Sequence, residues 1–359
     1  MEGKETPKIL SPINSYEGAQ RVIKAGADEL YCEAVIPEFE RFFGRPYLGG
    51  PIRGPLCSIP TYDELGNVVK EAHANDVEVL LTVNYPFMTK SMEKVMERHI
   101  RSCLDEGVDA IILENPGILS IVKKINKHLP LYASMYNVSL NYETCNFLKK
   151  VGFSRAILEC HLTIPEISEI VKKSDIDIEI FIHGAGCSNL QRTCTLLHYR
   201  FPEMNEALSS NDSFFKQPCQ LLFDIYDFNK NHLFQKNTRI LDAQTSCSIC
   251  MVPDLIDTGV VGFKITGRCA GIAYQETVTK IYRDLIDLIR AGRIDEYKEK
   301  IYVYKREFQP FPGIPANLEE IYCEQMRCQY PPLFHAVYKE PLSWHSWTKS
   351  KFKFMRFEK

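Results

Sequence analysis

Short apolar runs alternate with amphipathic stretches along most of the chain. Four times the join between them has the same form, a helix end, then glycine, then a brief apolar strand. These joins are Ala25-Gly-Ala-Asp-Glu-Leu-Tyr31, Glu106-Gly-Val-Asp-Ala-Ile-Ile-Leu113, Val151-Gly-Phe-Ser-Arg-Ala-Ile-Leu158 and Thr258-Gly-Val-Val-Gly-Phe-Lys-Ile265. Glycine after a helix supplies the left-handed cap that a Cβ resists. The apolar runs behind it suit parallel strands buried on both faces. Val77–Asn84 and Ile178–Ile182 read as further strands, and Tyr62–Asn75, Ser91–Glu106, Tyr142–Val151 and Pro165–Lys173 as helices. A strand–helix unit repeated about eight times through roughly residue 290 predicts an α/β fold, a (β/α)8 TIM-barrel-like parallel barrel. An open doubly wound sheet is the alternative.

In a barrel the active site gathers where the strands end. Those ends carry Asn84, Glu114, Asn115, Ser134, Glu159, His161, His183 and Lys264. Some will only cap the next helix. Glu203–Phe215 reads as a loop inserted after the seventh strand. The domain organisation expected is a barrel over 1–295 and a short aromatic, basic C-terminal extension over 296–359. That extension ends with Trp344, His345, Trp347, Lys349, Lys351, Lys353 and Arg356. It reads either as a solvated tail or as a contact for nucleic acid or a partner protein.

The composition is ordinary for a globular chain of 359 residues, with 45% hydrophobic and 25% charged positions. A net charge of −3 gives no general pull toward nucleic acid or an anionic membrane. No run approaches the ~20 apolar residues of a membrane span, and the polar start lacks a signal-peptide core. A cytoplasmic protein without a membrane partner is the expectation. Its thirteen cysteines should then be mainly thiols, and Cys32, Cys103, Cys145 and Cys160, among apolar neighbours, read as small core residues.

The densest local signal is Phe181-Ile-His-Gly-Ala-Gly-Cys-Ser-Asn-Leu-Gln-Arg-Thr-Cys194, followed by Gln217-Pro-Cys219 and Thr245-Ser-Cys247-Ser-Ile-Cys250. Thiolates suit an iron–sulfur cluster or zinc. Only Cys247 and Cys250 form a compact Cys-x-x-Cys pair, so spacing alone leaves a metal site and buried thiols both open.

These segments are similar to the collagenase-like peptidase family U32, across about residues 8–290. Lys8-Ile-Leu-Ser-Pro with Ala25-Gly-Ala-Asp-Glu-Leu-Tyr31 resembles the family's first strand–helix–strand unit. Glu179-Ile-Phe-Ile-His-Gly-Ala-Gly-Cys187, Gln217-Pro-Cys219 and Pro253-Asp-Leu-Ile-Asp-Thr-Gly through Arg268 resemble its later motifs. The resemblance implies a 4Fe–4S cluster on Cys187, Cys194, Cys219 and Cys247, with Cys250 outside the set. It also implies oxygen-independent hydroxylation of an RNA base or a small aromatic such as a quinone precursor. Where the family has Lys-Ile-Glu-Gly-Arg this chain has Lys264-Ile-Thr-Gly-Arg268, and the usual Arg-Glu is Cys160-His161.

Within that frame Lys264 and Arg268 could hold an anionic co-substrate or pair with barrel acids. His183 could shuttle protons or only bond its surroundings, and Glu114 and Glu159 are candidates for acid–base work. A peptidase, as the family name asserts, and a non-catalytic accessory protein with a structural cluster are the alternative functions. No Gly-x-Ser-x-Gly elbow or His-Glu-x-x-His helix supports the peptidase.

Overall fold

The computed structural model describes residues 6–36, 57–85, 88–185 and 246–307. It also describes 38, 190, 192, 224, 226, 228, 229, 231, 317–323 and 328–330. The expected inserted loop, the basic tail, Cys187, Cys194 and Cys219 lie outside these residues.

Among the described residues, eight strands alternate with eight helices: β1 (Lys8–Pro12), α1 (Tyr16–Lys24), β2 (Glu29–Cys32), α2 (Tyr62–His73), β3 (Glu78–Val83), α3 (Lys90–Asp105), β4 (Ala110–Leu113), α4 (Pro116–Ile125), β5 (Leu131–Ala133), α5 (Tyr142–Val151), β6 (Arg155–Ile157), α6 (Ile164–Lys173), β7 (Asp177–His183), α7 (Val252–Asp257), β8 (Gly262–Ile265) and α8 (Ile272–Arg290). The strands form a closed barrel in chain order, and every neighbouring pair is parallel, including β8 with β1. The open-sheet alternative is thereby excluded.

Local chemistry fixes the helix starts. Asn115, Asn141 and Thr163 each accept a backbone N–H at the first turn, and Thr163 with Glu166 forms a capping box. The glycines of the four joins, Gly26, Gly107, Gly152 and Gly259, have φ of +96°, +93°, +110° and +85°. At Gly26 a Cβ would also stand 2.5 Å from Arg283 Cγ, so glycine is required there twice over.

One face of each strand packs under the helices in the main core. The other fills the barrel with Leu10, Tyr31, Leu80, Ala110, Ile112, Tyr132, Ile157 and Phe181. One departure from the sequence pattern follows Arg290. The helical rhythm does not stop there, because α9 (Ile294–Glu307) continues across residue 295 and buries Tyr297 alone. A helix with so narrow an apolar stripe leaves little periodicity to read.

Candidate functional site

Side chains alternate along a strand, so the register that turns Tyr31, Leu80, Ile112 and Ile157 inward also aims residues two positions on toward the barrel mouth. Those residues are Glu33, Thr82, Glu114 and Glu159, all at most 6% exposed. Asn84 and Ser134, also buried, bond each other at the same level, Nδ2 to Oγ at 3.0 Å. The mouth is therefore lined by acceptors set above an apolar and aromatic plug.

The three carboxylates differ. Glu33 accepts from Arg268 Nη1 at 3.0 Å and from the Tyr85 hydroxyl at 3.4 Å. Glu114 Oε2 accepts from Arg192 at 2.7 Å, but burial outweighs that partner and raises its pKa, and Oε1 has no partner among the described residues. Neither oxygen of Glu159 accepts a hydrogen bond there, and His161 Nδ1 lies 3.7 Å from Oε2. Thr82 Oγ1 and Asn84 Oδ1 are likewise unpartnered among the described residues. Buried acceptors left this way are costly unless a ligand or water supplies donors.

His183 ends β7 at 1% exposure, with Nδ1 3.3 Å from the Tyr282 hydroxyl. That hydroxyl spends its proton on Ile182 O at 2.6 Å, so Nδ1 carries the hydrogen toward it. Burial drives the imidazole pKa down to about 3. The neutral ring donates through Nδ1 and holds the end of β7.

Lys264 lies deeper than a strand-end residue, inside the barrel between Leu10 and Phe181 in register. Its Nζ sits 3.8 Å from the Tyr31 ring centroid and 3.6 Å from Glu179. At that distance the Glu179 contact is an ion pair without a hydrogen bond. Burial lowers the Lys264 pKa to about 8. Lys264 and Arg268 are thus both engaged by barrel acids. Thr266 donates its hydroxyl to His183 O at 3.1 Å and closes the β7–β8 seam.

A charged floor lies below, at positions the apolar strand pattern alone does not single out. Arg155 grips Glu29 with two bonds and Glu179 with a third. The signal was there, since each charge stands at an inward position of an apolar strand.

Among the cysteines, Cys32, Cys103, Cys145 and Cys160 are buried as expected. Cys57 and Cys269 are joined by a disulfide, a pairing the sequence did not suggest, while the other eight described cysteines are free. Of the four cysteines that the family resemblance assigns to a cluster, Cys247 is described. Its backbone pairs antiparallel with His183, four residues before Cys187, at the root of the segment carrying the remaining expected ligands. A thiol there is chemically suited to such a group, and burial pushes its pKa up to about 12. Among the described residues, Glu159, Cys160 and His161 are the one trio whose ligand atoms all lie within 4.8 Å of one another. No described helix is long and apolar enough to cross a membrane.

A parallel eight-stranded barrel with polar groups at its C-terminal mouth is the scaffold of many enzymes. The model of peptidase family U32 matches residues 14–310, and the chain belongs to that family. It is 29% identical over 240 residues to tRNA hydroxylation protein P2 of Bacillus subtilis (strain 168), covering 66% of this chain and 76% of that one. It is 27% identical over 290 residues to a 23S rRNA 5-hydroxycytidine synthase of Escherichia coli (strain K12), covering 80% of this chain and 40% of the relative. An uncharacterized protease of Methanocaldococcus jannaschii is 28% identical over 310 residues, 84% of this chain and 70% of its own.

Proposed function

We propose that this protein takes part in the hydroxylation-type modification of an RNA base, with the barrel mouth holding the base. The observation that carries this reading is the set of buried acceptors without a donor among the described residues, Glu159, Glu114 Oε1, Asn84 Oδ1 and Thr82 Oγ1, above an aromatic floor. A planar heterocycle that presents N–H groups satisfies those acceptors and stacks on apolar surface. The names of the tRNA and rRNA relatives support the same class of chemistry. A small aromatic fits the shape equally but brings fewer donors.

Glu159 accepts a ring or exocyclic N–H and fixes the base. Glu114, its pKa raised by burial, is the group that exchanges a proton with the substrate. His183 holds the β7 end through its bond to Tyr282. Arg268 would receive an anionic co-substrate by sharing its guanidinium between that ligand and Glu33. A 4Fe–4S cluster, which the family resemblance assigns to Cys187, Cys194, Cys219 and Cys247, would supply electron transfer.

The peptidase reading has one constellation to offer, Cys160, His161 and Glu159. Cys160 Sγ and Glu159 Oε2 both face the same nitrogen, His161 Nδ1, at 3.8 and 3.7 Å. A nucleophile and an orienting acid must use opposite ring nitrogens for a proton to pass between them, so this trio does not make a triad. Mass spectrometry of total tRNA and rRNA nucleosides, with and without the gene, tests the proposal. One nucleoside should lose a single oxygen atom in the deletion strain. Unchanged RNA with an altered quinone intermediate would move the reaction to the small aromatic.

A further inference from the structure

Glu159, Cys160 and His161 follow one another directly, yet their side chains converge. Along a strand, neighbouring side chains point to opposite faces. Strand β6 ends at Ile157 and the chain turns at Cys160 and His161, which frees the three side chains from that alternation. The turn is held from several sides. Leu158 N donates to Glu179 O at 2.9 Å and Glu159 N to Ser139 O at 3.3 Å. From the C-terminal segment, Gln329 Nε2 donates to Cys160 O at 3.0 Å. Gln329 is itself buried and fixed, with its backbone N–H bonded to Cys247 O at 2.9 Å and its side-chain oxygen to the Ser246 hydroxyl.

A thiol, an imidazole nitrogen and a carboxylate oxygen thereby lie within 4.8 Å of one another. Cys160 Sγ is 3.8 Å and Glu159 Oε2 3.7 Å from His161 Nδ1. Bonds of ~2.3 Å to sulfur and ~2.0 Å to nitrogen and oxygen set the ligand atoms of tetrahedral zinc roughly 3.3–3.6 Å apart. The two contacts are only slightly wider. Acid and thiol facing the same nitrogen cannot relay a proton, but three donors converging on one point are what an ion requires.

A second observation points to the same occupant. Glu159 is 3% exposed, and neither of its oxygens accepts a hydrogen bond among the described residues. A buried carboxylate in that state needs a cation or donors. Cys160 is also buried, in the cluster that fills the barrel interior, whereas His161 is exposed. The group is enclosed toward the barrel and reachable at the imidazole.

We propose that Glu159 Oε2, Cys160 Sγ and His161 Nδ1 bind one zinc-type divalent cation at the barrel mouth. Mixed sulfur, nitrogen and oxygen donors suit zinc, whereas magnesium and calcium take oxygen ligands. Three protein ligands leave a fourth tetrahedral position for water or a substrate oxygen. With the metal on Nδ1, the His161 hydrogen sits on Nε2. Glu159 Oε1 stays available to a base at the mouth, and the site does not rest on the proposed reaction. It uses none of the cysteines that the family resemblance assigns to a cluster.

The test is zinc titration of the full chain, purified without air and dialysed against a chelator. The same titration is run on Glu159→Gln, Cys160→Ala, His161→Gln and, as a control thiol, Cys250→Ser, with folding checked by circular dichroism. The parent and Cys250→Ser should each take up one equivalent that the three site variants lack, with iron content equal in all five. His161 is exposed, so His161→Gln tests ligation without disturbing the core. Cobalt(II) in place of zinc should give thiolate charge-transfer absorption that Cys160→Ala loses. Because the ion neutralises Glu159, the stability of Glu159→Gln is compared with the parent in chelator. Uptake unchanged in any one of the three site variants, or an equivalent lost also in Cys250→Ser, overturns the site. RNA left unchanged by deletion of the gene overturns the proposed reaction and leaves the zinc titration untouched.

Discussion

Arg155 and Glu29 face each other across the barrel floor in a two-pronged pair, Nη1 to Oε2 at 2.7 Å and Nη2 to Oε1 at 2.9 Å. Both side chains are almost fully enclosed, and Glu179 takes a third bond from the same guanidinium. Removing one partner strands buried charge. Arg155→Met should cost about 3–5 kcal/mol, read as a lowered urea midpoint. Burial tends to raise the Glu29 pKa, but Arg155 and Lys8 override it and the net shift is downward. This pair therefore stabilises the fold above the ordinary carboxylate range and is lost as pH falls through the depressed value.

His183 and His99 set the acid limit higher. Burial lowers both pKa values to about 3 from 6.5. The unfolded chain binds these protons first, so stability falls with pH from about 6.5 toward 3. Each histidine should cost about 2 kcal/mol between pH 6.5 and pH 5. Urea titrations at the two pH values should show His99→Gln losing its share of that dependence.

Glu159 separates stability from function. Its carboxylate is buried without a hydrogen-bond donor among the described residues, so Glu159→Gln should leave Tm unchanged or raise it. The same variant should abolish the RNA modification, because the amide replaces an acceptor oxygen with a donor. Full activity in Glu159→Gln would remove Glu159 from the substrate contacts.

Lys264 predicts an alkaline signature. Burial lowers its pKa to about 8 from 10.5, so the unfolded chain binds more protons between those values and stability rises with pH across the window. Lys264→Met should flatten that rise in urea melts at pH 8 and pH 9.5. Arg268→Ala removes the guanidinium that pairs with the buried Glu33 carboxylate. Modification should fail in that variant even where the folded fraction, checked by circular dichroism, is retained.

The order of strands and helices was readable in the chain because each element carries its own signal. The four helix-end glycines at positive φ, the caps at Asn115, Asn141 and Thr163, and the apolar runs are local facts of sequence. Glu114, Glu159 and His183 were legible as strand ends for the same reason. Tertiary structure decided the rest, because ion pairing depends on distances across the barrel that no sequence interval records. Only closure of β8 onto β1 sets Lys264 over Tyr31 and toward Glu179, and Arg268 against Glu33. Only the return of the C-terminal segment lays Cys328 beside Cys247.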